Sequence, residues 1–252
     1  LYPMPLLEEN QYLPDLSKIP DEICRKAKMM ILNYPSNPLA ATASREFFEK
    51  AVAFARKHQI MICHDFAYSE LSYDGYKNVS FMEIAGAKEV GVEFHSISKT
   101  FNLAGCRLGF IVGNAEIIDL LRKVKSNIDY GIFRPVQLAA IAALSGSGEC
   151  VKQNALAYQS RRDTLLEQLA EYGWIIRKPK ASMFIWAKLP SSFASSEEFS
   201  KQLLKEAGVA IVPGIAFGKC GEGYIRLGLV QEEARLKEAG RRMGEFIKKH
   251  SS

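Results

Sequence analysis

The sequence lacks long apolar runs: none approaches the roughly 20 residues that a membrane-spanning helix needs, and no signal peptide is visible. Its five cysteines include no CxxC pair, and its four histidines form no HExxH pattern. The odd number of cysteines argues against a disulfide framework, and the histidine spacing argues against a zinc site. We therefore expect a cytoplasmic protein with reduced thiols, no membrane partner and no metal ion.

The sequence also lacks a strong excess of charge of either sign. There are 33 Lys and Arg residues against 28 Asp and Glu residues, a net charge of +5, and the two signs are interleaved. A basic patch interleaved with aromatic side chains, which would favour nucleic-acid binding, is not found. The 48% hydrophobic content is ample for a core. We predict a globular chain without a nucleic-acid partner.

The first half of the chain alternates strand and helix patterns. Compact apolar runs at 29–32 and 60–63 predict buried strands, and between them 44–57 has the apolar face of a helix capped by Ser44. Such a βαβ unit gives parallel strands whose carboxyl ends carry ligand sites. Further strands are predicted at 94–97 and 108–112, joined by a polar turn that carries Lys99.

The pattern changes after a long predicted helix over 149–172. Strands are expected at 174–177, 183–188, 209–212 and 224–229, with helices near 195–208 and 231–250. The predicted fold class is therefore α/β, with a mostly parallel sheet flanked by helices in residues 1–149. A smaller α+β domain is predicted for residues 150–252.

One stretch, Ser96 to Arg107, has the composition of a phosphate site. Ser96 and Ser98 offer hydroxyl donors and Arg107 a planar donor fork, so the three are candidates to converge on an anion. Lys99 would then lie beside that anion. A lysine next to a phosphate pocket suggests a Schiff base with pyridoxal phosphate. The alternative is a surface lysine in a loop.

Other polar residues sit at informative places. Asp65 follows a predicted strand and is a candidate partner for a pyridinium nitrogen, although a loop-stabilising carboxylate is the alternative. Tyr68 and Asn37 are candidates to hydrogen-bond the ring oxygen, but packing and turn formation are their commoner uses. Arg226 lies inside an apolar strand and should face an anion, either a substrate carboxylate or a structural acid.

Together these residues resemble the class I/II aminotransferases, the fold-type I enzymes that use pyridoxal phosphate. The resemblance covers essentially the whole chain and rests on the following elements in order: Asn37-Pro38, Asp65-x-x-Tyr68, Ser96-x-Ser98-Lys99, Arg107, Pro213 to Gly218, and Arg226. Phe94-His95-Ser96 and Lys123 to Asp129 look most like the LL-diaminopimelate/aspartate aminotransferase branch.

The resemblance implies a role for each residue. It makes Lys99 the lysine that forms the Schiff base with pyridoxal 5′-phosphate and moves the substrate proton. Asp65 would pair with the pyridinium nitrogen, and Tyr68 and Asn37 with the phenolic oxygen. The phosphate group would be bound by three residues: Ser96, Ser98 and Arg107. Arg226, with Asn37 nearby, would bind the substrate carboxylate.

Two departures from the family pattern stand out. The usual NP-T-G reads Asn37-Pro38-Leu39-Ala40 here. Family members also carry an N-terminal portion, with a Gly-rich phosphate loop and two strands of the large sheet, that has no equivalent between Leu1 and Met29. We therefore expect an N-terminally incomplete large domain.

The resemblance implies an aminotransferase that moves an amino group between an amino acid and a 2-oxo acid. A carbon–sulfur β-lyase with the same cofactor is one alternative, and a truncated, non-catalytic interaction module is another. The family resemblance also implies a homodimer.

Overall fold

A computed structural model of the chain describes residues 1–250. The chain folds into two compact units, one made of Leu1–Pro35 and Thr42–Ala155, the other of Ser36–Ala41 and the chain from Leu156 onward. The boundary between Ala155 and Leu156 falls inside a long helix, Glu149–Ala170. The domain division at residues 149 and 150 stays a prediction.

The first unit contains a sheet in the order β1-β2-β3-β4. The strands are β1 (Met29–Asn33), β2 (Met61–Asp65), β3 (Gly91–Ser96) and β4 (Gly109–Gly113). β1 pairs with β2 and β2 with β3 in parallel, whereas β4 runs antiparallel to β3. The predicted α/β class with a mostly parallel sheet is confirmed.

The α-helices of this unit lie before, between and after the strands along the chain. They are α1 (Asp21–Lys26), α2 (Arg45–His58), α3 (Ala87–Val90), α4 (Ile97–Thr100), α5 (Ala115–Ser126), α6 (Arg134–Ser145) and the start of α7 (Glu149–Ala170). α2 is the crossover between β1 and β2, and the Ser44 hydroxyl caps it by accepting from Phe47 N at 3.2 Å. Its apolar residues recur at helical spacing and are buried, as the sequence predicts: Phe47, Phe48, Ala51, Val52 and Ala55.

The two faces of the sheet differ. On β2, His64 is fully buried while its neighbour Asp65 is exposed, because successive strand residues point to opposite faces. Phe48 of α2 packs edge-on against the His64 ring, with centroids 4.9 Å apart. The Asp65 face also carries Ile31 and Phe94, which are 66% and 39% exposed.

A buried carboxylate joins the central strands. Glu93 on β3 accepts from His64 Nδ1 of β2 and from His95 Nε2, both at 2.9 Å. The Ser80 hydroxyl and Phe81 N donate to it as well, each at 2.7 Å. Burial alone would raise the pKa of Glu93, but the hydrogen bonds from His64, His95 and Ser80 outweigh it and lower the pKa to about 2.

The second unit contains a smaller antiparallel sheet in the order β5-β7-β6. Its strands are β5 (Phe184–Lys188), β6 (Val212–Pro213) and β7 (Tyr224–Gly228), and its helices are the rest of α7, α8 (Ser196–Ala207) and α9 (Glu233–His250). Close approach of α9 to the α7 region requires glycine, because a Cβ at Gly240 would lie 2.9 Å from Gln168 Cγ and one at Gly244 would collide with the Tyr172 ring.

Three local expectations were wrong. Trp174–Arg177 forms no strand: Trp174 is held through its indole, which donates to Lys188 O at 3.0 Å, while Ile175 is 78% exposed. The strand expected over 209–212 is reduced to Val212–Pro213. Lys99 lies in the one-turn helix α4 rather than in a turn, because Ser96 caps that helix by accepting from Ser98 N.

Within residues 1–250, no helix combines the length and apolar character needed to cross a membrane. The same residues contain no group of three or more His, Cys, Asp and Glu side chains that could hold a metal ion.

We predict that Phe48→Ala lowers the free energy of unfolding by about 3–5 kcal/mol, because it opens a cavity beside His64 and Phe81 in a fully buried site. Phe54→Ala, on the half-buried side of the same helix, is the matched control and should cost clearly less. Urea unfolding of both variants measures the difference; equal losses would contradict the assignment of Phe48 to the core.

We predict an acid-dependent contribution from Glu93. Because its pKa in the folded chain is about 2, below the ordinary 4.5, ionised Glu93 stabilises the fold above pH 4.5 and loses this effect as pH falls toward 2. The stability difference between wild type and Glu93→Gln, on the order of 3 kcal/mol near neutral pH, should therefore shrink in that window. Urea unfolding from pH 7 to pH 3 measures it, and a difference independent of pH would refute it.

Candidate active site

The carboxyl ends of β1 and β2 lie side by side. Asn33 is in register with Asp65, which in turn is in register with Phe94 of β3. The Asn33 side chain also donates to Asp65 O at 3.0 Å, which fixes the two strand ends together. This is the edge at which parallel sheets bind ligands.

Asp65 and Tyr68 belong to one turn after β2. The exposed Asp65 carboxylate accepts from Ala67 N at 3.1 Å, and Phe66 N donates to Phe94 O at 2.9 Å. These bonds hold the turn against β3. The Tyr68 ring is buried, at 7% exposure.

Lys99 projects next to Tyr68. Its Nζ lies 5.9 Å from the centroid of the Tyr68 ring, within the range of a cation–π contact. Within residues 1–250 this amine makes no hydrogen bond or ion pair, whereas the Lys99 carbonyl accepts from Asn154 Nδ2 of α7 at 2.7 Å. The backbone of Lys99 is therefore fixed and its amine is available for reaction.

The backbone segments that carry the three predicted anion donors lie close together. Ser96 is in register with Gly109, and Ile97 N donates to Leu108 O at 3.3 Å, next to Arg107. Ser98 is buried, at 6% exposure, and its hydroxyl makes no hydrogen bond within residues 1–250. The Arg107 guanidinium is exposed and donates to Ala104 O at 3.1 Å, so the convergence of all three side chains on one anion stays a prediction.

Asn37 and Arg226 meet in the second unit. Arg226 on β7 donates to Asn37 Oδ1 at 2.7 Å. Its guanidinium also lies over two aromatic rings, 4.3 Å from the centroid of Phe184 and 5.0 Å from that of Phe217. Aromatic faces attract and orient a cation, so this arrangement holds the Arg226 guanidinium in a fixed direction.

The structure adds residues that the sequence analysis missed. Asn154 binds the backbone of Lys99, and the rings of Phe184 and Phe217 orient Arg226. Glu93 was missed too, although a charge within an apolar strand is the signal that singled out Arg226. Asn154 and Phe184 are far in sequence from the residues that they contact, and no local pattern identifies these pairs.

The chain resembles known proteins in both sequence and structure. The family model for aminotransferase class I and II matches residues 1–243. The chain is 50% identical over 242 residues to an LL-diaminopimelate aminotransferase from Syntrophobacter fumaroxidans, covering 96% of this chain and 62% of the relative. It is 48% identical over 243 residues to another from Dehalococcoides mccartyi, with the same two shares covered.

Solved structures agree with these sequence relatives. Substrate-bound BacF from Bacillus subtilis matches with a TM-score of 0.93 and 42% identity, covering 97% of this chain and 62% of that one. A probable N-succinyldiaminopimelate aminotransferase from Thermus thermophilus matches with a TM-score of 0.88 and 37% identity, over 97% and 65% of the two chains.

The chain thus spans 62% of the length of these curated relatives. Pyridoxal 5′-phosphate is the cofactor of the family, as the sequence motifs predict. Because the family model covers nearly all of the sequence, the chain belongs to the class I and II aminotransferases.

Proposed function

We propose that the protein is a pyridoxal phosphate-dependent aminotransferase that moves an amino group between an amino acid and a 2-oxo acid. The observation that carries the proposal is the Lys99 amine. It lies 5.9 Å from the centroid of the Tyr68 ring and, within residues 1–250, makes no hydrogen bond or ion pair. The family membership supports the same reaction.

The donor chemistry of the first unit fits the cofactor. A primary amine is needed for covalent attachment, and Lys99 offers one. A carboxylate is needed for a protonated ring nitrogen, and Asp65 is exposed at the end of β2. Ser98 is buried, at 6% exposure, and its hydroxyl has no partner within residues 1–250, so this hydroxyl is suited to a phosphate oxygen.

When bound, pyridoxal 5′-phosphate supplies an electron sink for the electron pair released at the substrate Cα. Lys99 would hold the cofactor and then move the proton at the substrate Cα. Asp65 would keep the proton on the ring nitrogen. Tyr68 and Asn37 would donate to the phenolic oxygen, and Ser96, Ser98 and Arg107 would bind the phosphate.

Arg226 would bind the α-carboxylate of the substrate. The rings of Phe184 and Phe217 and the Asn37 side chain orient its guanidinium, which favours a two-point ion pair. Because several relatives of 46–50% identity carry the name LL-diaminopimelate aminotransferase, LL-diaminopimelate with 2-oxoglutarate is the first substrate pair to test. We also propose a cytoplasmic location and a homodimer.

We predict that the purified chain gains a visible absorbance band with pyridoxal 5′-phosphate and that Lys99→Ala abolishes it, because the band requires bonding to this amine. Lys88→Ala, which removes an exposed lysine of α3, is the matched control and should keep the band. A band that survives Lys99→Ala would overturn the assignment.

We predict that Arg226→Gln lowers kcat/KM for amino acids by about 10- to 100-fold, because a hydrogen-bonded charge pair with the carboxylate is lost. Most of the effect should appear in KM. Arg235→Gln, on the exposed side of α9, is the control and should leave kcat/KM within about twofold of wild type. Equal effects of the two changes would remove Arg226 from the site.

A further inference from the structure

We propose that Glu93 is a positioning residue for the reaction proposed above: its buried carboxylate, bonded to His64 of β2 and to His95 of β3, holds the strand ends that present Asp65 and Lys99. This inference rests on the proposed function, but the network itself can be tested without the cofactor.

The carboxylate of Glu93 is saturated with donors. Oε1 accepts from the Ser80 hydroxyl at 2.7 Å and from His95 Nε2 at 2.9 Å. Oε2 accepts from Phe81 N at 2.7 Å and from His64 Nδ1 at 2.9 Å. Such bonds to an ionised acceptor are stronger than those between neutral groups, so Glu93 ties three chain segments together.

Both ring nitrogens of His64 are engaged in this arrangement. Its Nδ1 lies 2.9 Å from Glu93 Oε2, and its Nε2 lies 3.0 Å from Tyr34 O. The fully buried imidazole therefore bridges the Glu93 carboxylate of β3 and the Tyr34 carbonyl.

The groups packed around His64 bury its ring completely. Glu93 is the charged side chain that faces it, and His95 contacts the other oxygen of the same carboxylate. The other neighbours are the rings of Phe48, Phe66 and Phe81, whose centroids lie 4.9, 5.2 and 6.2 Å from that of His64.

Both histidines are one residue away from the proposed site. His64 precedes Asp65, and His95 precedes Ser96, the residue that caps the helix carrying Lys99. The His95 ring also stacks on Phe110 of β4, with centroids 4.8 Å apart and planes at 5°. Glu93 thus acts through the backbone of β2, β3 and β4, and lies on the face of the sheet opposite to Asp65.

Because Glu93 lies on the opposite face of the sheet from Asp65, its removal should act by displacing the groups of the proposed site. A catalytic group displaced by about 1 Å can cost up to about 100-fold in rate, so small shifts of Asp65 against Lys99 should weaken cofactor capture. Removing Glu93 should have this effect without touching any group that contacts the cofactor.

The first experiment examines the wild-type chain without cofactor by two-bond ¹H–¹⁵N correlation of its histidine rings at pH 7.5. We expect a proton on His64 Nδ1, the nitrogen that faces Glu93 Oε2. A bare Nδ1, which could not donate to Glu93, would overturn the proposal.

The second experiment compares Glu93→Gln with Glu89→Gln, the matched loss of an exposed acid that pairs with Arg56. The readouts are the dissociation constant for pyridoxal 5′-phosphate, borohydride capture on Lys99 followed by peptide mass, and hydrogen exchange of residues 64–68 and 95–99. We expect Glu93→Gln to weaken binding by about tenfold or more and to speed exchange in both segments, with Glu89→Gln close to wild type. Wild-type values for Glu93→Gln would overturn the proposal.

A third variant, His95→Gln, covers the case in which Glu93→Gln does not fold. It removes one ring from the carboxylate and leaves the His64–Glu93 pair in place. Faster exchange over residues 95–99 would support the proposal, and unchanged exchange would overturn it. If wild type does not take up pyridoxal 5′-phosphate on Lys99, the proposed function fails, and hydrogen exchange and the His64 spectrum still decide on the network.

Discussion

The buried pair of Glu93 and His64 is the constraint on which the first unit depends. A carboxylate removed from water is tolerated only when its oxygens are fully bonded. Here the bonds come from both histidines and from the Ser80–Phe81 segment, so these parts of the chain have one arrangement that satisfies the charge. The network therefore fixes β2 against β3 more specifically than apolar packing would.

Because side chains alternate between the two faces of a strand, the buried Glu93–His64 pair also determines where residues of the candidate site point. His64 points into the core beside Glu93, so Asp65 must point to the other face. The same logic holds on β3, where His95 binds Glu93 and the next residue, Ser96, caps α4. Charge is thus buried on one side of the sheet, while the candidate reactive groups stay accessible at its carboxyl edge.

Local patterns predicted much of the fold and of the candidate site. The β1–α2–β2 unit followed from two apolar runs and the Ser44 cap, and the motif around Lys99 identified the family. The predictions that failed, and the contacts that were missed, depend on partners that are distant in sequence. The sequence pattern of Trp174–Arg177 predicts a strand. In the structure this segment instead packs the buried Trp174 indole within the second unit. Asn154 lies 55 residues from the Lys99 carbonyl that it binds, so no window of sequence reveals the pair.

Aromatic rings contact both candidate cations. The Lys99 amine lies over the Tyr68 ring, while Phe184, Phe217 and the Asn37 amide hold Arg226. An aromatic face attracts a cation and orients it. Each unit therefore presents a cation whose direction is set by aromatic rings, which suits the roles proposed for Lys99 and Arg226.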